Sequence, residues 1–207
     1  MIRSLSARAL VALALLAVVG VSPLFAQAKP AAVPAPAAAA KAQAPVFLTS
    51  CGQSPGAVTV GVFLRRLQVE YDLKETGAVK DLAAKPYKTI IIVTGSSLKG
   101  MGGAGVSIDD ELARAGALIA EAKKRGIQVI GAHVEGMERR AQGAAPGDNS
   151  DELSIDAVCP QSDLLVIRKD GDEDKRFTAI STGKKIPMVV FEKNMELADV
   201  LKNLYLK

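Results

Sequence analysis

An α/β sandwich of three layers, built around a mostly parallel sheet of five to six strands, is the fold class this sequence predicts. Three observations predict it. Short runs dense in Val, Ile and Leu recur along the chain, such as TIIIVT at 89–94 and DLLVIR at 163–168, and continuous apolar runs are what strands buried on both faces need. Stretches with apolar residues at steps of three and four alternate with them, which is the helical period. The links between the two are short, and strand–helix–strand repetition of that kind gives right-handed crossovers and a doubly wound, Rossmann-like sheet. With 207 residues, 49% of them apolar and 23% charged, the chain can bury a sizeable core.

Residues 1–28 read as an export signal that precedes this fold. Arg3 and Arg8 give a basic start, residues 9–21 (ALVALALLAVVGV) form an apolar run of 13, and Pro23 ends it before Ala26-Gln27-Ala28, a small-x-small cleavage site. A membrane span takes about 20 apolar residues, so no stable anchor is expected once the signal is cleaved. Residues 29–45 hold nine Ala and four Pro among 17. Such a segment has little to bury and favours extended, polyproline-like conformers, so it reads as a spacer. The folded body is expected as a single α/β domain over 46–207, in the periplasm or outside the cell.

Within the body the first strand is expected at 46–50 (VFLTS) and the first helix at 55–66, with Ser54 as its N-cap and Pro55 at its first position. A weaker, alternating strand at 67–73 and a helix at 77–84 follow, then a strand at 89–94. The clearest helix is 108–125, where Ile108, Leu112, Ala115, Ile119 and Ala122 repeat at helical spacing. Ser107 and Asp110 make a capping box at its start, and Gly126 suits a left-handed cap at its end. Strands at 127–134, 163–168 and 186–191 alternate with helices at 151–158, 173–182 and 195–205, the last with Asn194 as N-cap.

Composition removes several function classes. Aromatic residues make up 4% and Trp is absent, which argues against a nucleic-acid stacking platform. Losing Arg3 and Arg8 with the signal takes the 26 basic residues to 24, against 22 acidic ones. That balance gives no reason to expect nucleic acid. Two Cys and one His rule out a disulfide framework and any zinc site built from several such ligands. No metal and no cofactor are expected.

In doubly wound sheets, ligands bind outside the carboxyl ends of the strands, where the strand order reverses. The loop after the first strand runs Thr49-Ser50-Cys51-Gly52-Gln53-Ser54-Pro55-Gly56. Gly52 permits a positive-φ turn and Gly56 a close approach, while the opening amides of the next helix suit a small anion. Ser50, Gln53 and Ser54 can add polar contacts. After the second strong strand comes Gly95-Ser96-Ser97-Leu98-Lys99-Gly100-Met101-Gly102-Gly103-Ala104-Gly105. Its G-x-G-x-x-G lies too far beyond the strand, and ahead of the helix cap at Ser107, to be a dinucleotide fingerprint. It reads instead as a mobile flap with Ser96 and Ser97 at its base and Lys99 reaching an anion. The third strand delivers His133 and Glu135 to the same edge. Arg139 and Arg140 then open a long polar loop, solvated by default, from which one of them can close over an anion.

Cys51 carries the alternative reading. A thiol at a helix start, with His133 as base, could act as nucleophile, and Ser50 is the other candidate. A Cys51–Cys159 bridge is not expected, since the topology puts the two at opposite strand ends. The charge run from Arg168 to Arg176 reads as a solvated turn and helix cap.

The strand–TSCGQSPG–helix opening, the IIIVTGSSLKGMGGAGVSIDDEL segment and the IQVIGAHVEG strand resemble a family of small exported prokaryotic proteins, a domain of unknown function. The resemblance covers nearly all of 46–207. It implies export and a Rossmann-like fold, and it implies no activity. Together the residues predict a binding module for a small polar or anionic ligand, held by Ser50, Gly52, Gln53, Ser54, Gly56, Ser96, Ser97, Lys99 and His133. The alternative is a hydrolase or transferase using Cys51 or Ser50 with His133.

Overall fold

The computed structural model describes residues 41–141 and 149–206; the expected signal, most of the spacer and the middle of the loop after Arg140 lie outside these. Six strands form one sheet: β1 (Val46–Cys51), β2 (Tyr71–Leu73), β3 (Thr89–Thr94), β4 (Gln128–His133), β5 (Leu164–Arg168) and β6 (Met188–Phe191). Every pairing is parallel and the order is β2-β1-β3-β4-β5-β6. The β-branched runs that predict strands are these strands, and β1 and β3 are buried along their whole length, as central strands covered on both faces must be.

Among the described residues seven helices connect and cover them: α1 (Gly56–Arg66), α2 (Val79–Ala83), α3 (Leu98–Ala104), α4 (Ile108–Lys124), α5 (Ser150–Val158), α6 (Arg176–Lys184) and α7 (Glu196–Tyr205). On one face, Val60 and Leu64 of α1 and Leu197, Leu201 and Leu204 of α7 pack on Leu48, Ile91, Ile130 and Val166. On the other, Leu82 of α2 and Ala115, Leu118 and Ile119 of α4 cover Phe47, Ile90, Ile92 and Val129. Phe177 of α6 and Ile155 of α5 finish that layer over Leu165 and Ile167. Burial of these aliphatic side chains contributes roughly 1.5–3 kcal/mol each. The chain leaves β1 toward β2 and returns across to β3, so the strand order reverses between β1 and β3.

Three local expectations change. The G-x-G-x-x-G stretch is a helix, not a flap. Ser97 Oγ accepts the Gly100 N–H at 3.0 Å to cap α3, and Gly105 closes it in the left-handed conformation (φ 68°). At α1 the cap is Pro55, with helical φ and ψ, and Ser54 Oγ makes no capping bond. At α7 the cap is Met195, while Asn194 Oδ1 accepts from Arg168 Nη1 at 3.4 Å. The end of the expected spacer also joins the body. The Ala42 N–H donates to the Leu204 carbonyl at 2.9 Å, and Lys41 Nζ donates to the Asn203 carbonyl at 2.7 Å. The chain thus enters the described body at the amino edge of the sheet, beside the end of α7.

Candidate functional site

The β1–β3 switch point brings two loop backbones into contact. The Ser97 N–H donates to the Gly52 carbonyl at 2.8 Å, and Gln53 pairs with Ser96 in an antiparallel bridge. Gly52 takes φ 103°, and a β-carbon there would stand 2.6 Å from the Gly95 carbonyl oxygen, so only glycine lets the loops meet. Gln53 is itself left-handed at φ 57°. Its side chain compensates: Nε2 donates to the Glu75 carbonyl at 3.0 Å and to Glu111 Oε2 at 2.9 Å.

Glu111 is the centre of this clamp, and the sequence reading passed it over. Wholly buried on α4, it accepts the Gly52 N–H at 2.9 Å and both Nε and Nη2 of Arg114 at 2.8 Å. Arg114 continues to Thr49 Oγ1 at 3.0 Å, the Ser50 carbonyl at 2.6 Å and the Gly77 carbonyl at 3.1 Å. A buried ion pair is tolerable only when its other hydrogen-bonding capacity is met, as here. The signal was available, because Glu111 falls on the same buried stripe as Ala115, Leu118 and Ala122. An acid on an apolar stripe needs a partner.

The other rim amides are claimed the same way. From α5, Ser154 Oγ accepts the Gly95 N–H at 2.9 Å and Asp151 Oδ1 accepts the Ser96 N–H at 2.6 Å. Burial raises the Asp151 pKa, against the Ser96 bond that lowers it. At the opening of α1, Glu135 Oε2 accepts the Gly56 N–H at 3.2 Å. Arg139 Nε pairs with Glu135 Oε1 at 3.1 Å, and its Nη1 donates to the Ser96 carbonyl at 2.9 Å, so the pair spans the crevice. Three hydroxyls stand apart from this bookkeeping. Ser50 and Ser54 are wholly buried and Ser96 nearly so, and the Oγ of each has no hydrogen-bond partner among the described residues.

Some expected site residues lie elsewhere. Lys99 is exposed on α3 and makes no ion pair among the described residues. His133 is wholly buried against Phe177, at 5.0 Å between ring centroids. Its Nε2–H donates to the Gly136 carbonyl at 3.0 Å, leaving Nδ1 as acceptor 3.1 Å from Thr94 Oγ1. Burial depresses its pKa to about 4, opposed by the Gly136 bond and assisted by Arg140. A ring with both nitrogens engaged and no exposed surface offers the rim neither a free donor nor a free acceptor. Cys51 corrects the thiol expectation more sharply. It is wholly buried with Sγ 3.9 Å from the Glu111 carbonyl, and burial together with the Glu111 charge pushes its pKa up to about 12. Helix dipole activation needs an accessible thiol at the amides; this one points into the α4 layer. Both cysteines are free.

Arg140 leads into a second, buried charge network. Its Nε donates to Glu152 Oε1 at 2.7 Å and Nη2 to Asp174 Oδ2 at 2.6 Å, with Nη1 on the Gly171 carbonyl. Arg176 Nη1 pairs with the other Glu152 oxygen at 2.9 Å. Asp172, also buried, accepts the Thr178 N–H at 3.1 Å. The run from Arg168 to Arg176 is divided: Lys169, Glu173, Asp174 and Lys175 are exposed, as a solvated turn requires, while Gly171 and Asp172 are buried and Arg176 pairs with Glu152 of α5. A hollow of about 440 Å³, lined by Lys85, Tyr87, Lys88 and Arg125, opens at the amino edge, away from this rim.

No curated protein and no solved structure matches the chain. A family model described as a domain of unknown function, DUF6305, matches residues 43–205, and by that match the chain belongs to this family.

Proposed function

We propose that the protein is exported and binds a small polar or anionic ligand, without chemistry, in the crevice between the carboxyl ends of β1 and β3. One observation carries the reading: Ser50, Ser54 and Ser96 keep three buried hydroxyls without partners among the described residues at the switch point. A buried hydroxyl left unpaired costs roughly 1–3 kcal/mol, and a ligand that bonds to all three recovers that cost. Folds of this winding take ligands at this position. Binding rather than turnover is favoured by the two groups best suited to nucleophile and base. Cys51 faces the core and His133 has both nitrogens engaged.

Thermal-shift screening against a library of small polar metabolites tests the proposal, since a ligand bound only by the native state raises the Tm. The expected result is a compound whose shift is lost in Ser54→Ala and Ser96→Ala but kept in Lys99→Ala. A shift that depends on Lys85 or Arg125 instead would move the site to the amino edge and overturn the reading.

A further inference from the structure

The opening turn of α1 already holds a carboxylate. The Gly56 N–H reaches Glu135 Oε2 in a slot so narrow that a β-carbon on Gly56 would stand 2.9 Å from that oxygen, 2.9 Å from Val93 Cγ1 and 3.0 Å from Val134 Cγ2. The first amides of a helix have no partner within it, and the dipole favours negative charge there. A second observation points at the same place. Ser54, wholly buried and without a partner among the described residues, puts its Oγ 3.5 Å from where a β-carbon on Gly95 would stand, and Arg139 Cβ lies 3.0 Å from that same point. The orphaned hydroxyl and the stem of the arginine that holds Glu135 therefore both crowd the same point above Gly95. Ser50 shares its face of β1 with Leu48, two residues back, which packs on the α1 side of the sheet.

We propose that the Glu135 side chain is a resident substitute for the ligand, and that the ligand is a small carboxylate that replaces it on the Gly56 N–H and Arg139. The inference rests on the crevice being a binding site. Exchanging one carboxylate for another leaves the charge of the crevice unchanged, so no additional buried charge has to be desolvated. The gain comes from the serine hydroxyls, which Glu135 leaves unpaired. A flat carboxylate fits a slot walled by two valines, whereas a phosphate brings further oxygens and more negative charge beside Asp151. Glu135 competes as a tethered group, so the apparent affinity is reduced by the fraction of time it occupies the slot.

The test is an NMR titration of ¹⁵N-labelled wild type and Glu135→Ala with sodium acetate, following the Gly56 and Ser54 amides, with sodium chloride as control. The variant is expected to show a saturable shift at acetate concentrations at least about tenfold below those wild type needs, and a Tm that acetate raises and chloride does not. Should Glu135→Ala not fold, Glu135→Gln keeps the size, removes the charge and is expected to give the same order of affinities. Equal affinities in variant and wild type, or no saturable acetate shift in either variant, overturn the exchange. A neutral polar compound that still perturbs Ser54 and Ser96 in that case leaves the crevice a binding site and removes only the carboxylate. No perturbation by any compound removes both.

Discussion

Ser54 and Cys51 sit three residues apart and show how differently one loop treats two small polar side chains. Ser54 Oγ is buried without a partner among the described residues, a state costing roughly 1–3 kcal/mol. Ser54→Ala is therefore expected to leave stability unchanged or raise it by up to about 1 kcal/mol, while weakening ligand binding. A urea unfolding curve and a binding isotherm on the same variant check the two halves, and a large loss of stability would show that the hydroxyl is paired after all. Cys51, by contrast, is expected to be nearly inert. With its pKa pushed up to about 12 by burial and Glu111, alkylation by iodoacetamide at pH 8 is expected to be slower than in urea-unfolded protein by roughly a thousandfold. Mass spectrometry of the Cys51 peptide measures this directly. The sequence puts Cys51 at a strand end correctly; which face it presents depends on the strand phase, and Leu48 and Ser50 take the α1 side.

At the scale of elements, α5 contributes more than its modest apolar stripe suggests. Asp151 and Ser154 hold the β3 loop, and Glu152 lies wholly buried between Arg140 and Arg176. Glu152→Ala is expected to destabilise by about 3–5 kcal/mol, because two guanidinium groups lose the charge that compensates their burial. Glu152→Gln should lose less, and urea unfolding of both separates charge from hydrogen bonding. These roles were not legible in the sequence, since DELS reads equally as a capped, solvated first turn. The strong strands were legible to within two residues, with 89–94 matching β3, because burial on both faces leaves a continuous β-branched run, whereas the weaker 67–73 shrinks to Tyr71–Leu73. The short α3 was hidden by its glycines, whose propensity argues for a loop. There the decisive interaction is the Ser97 cap, which a propensity reading weighs too lightly.

For the molecule as a whole, one ring is expected to set the direction of the acid response, with Asp151, whose pKa burial raises, working against it. The chain has a single histidine, and burial lowers the His133 pKa from 6.5 to about 4. Between those values the unfolded chain binds a proton that the folded one does not, so stability rises with pH and is lost as pH falls through this window. The loss is expected to approach about 3 kcal/mol near pH 4. Glu135, Glu152 and Arg140 surround the ring, and their fields enter the same balance. Asp170 and Asp174, held low by Arg168 and Arg140, add their own loss only at more acid pH. Unfolding free energies at pH 7 and pH 4.5, with the imidazole C2–H resonance followed by NMR, check both the sign and the assignment. The doubly wound architecture was readable from alternation alone; the filled state of the crevice was not, because Glu111, Glu135 and Asp151 reach it from three separate segments. The anchorage of Ala42 and Lys41 beside the end of α7 has a geometric corollary. The described chain begins at the amino ends of the strands, the edge opposite the serines of the β1–β3 switch point.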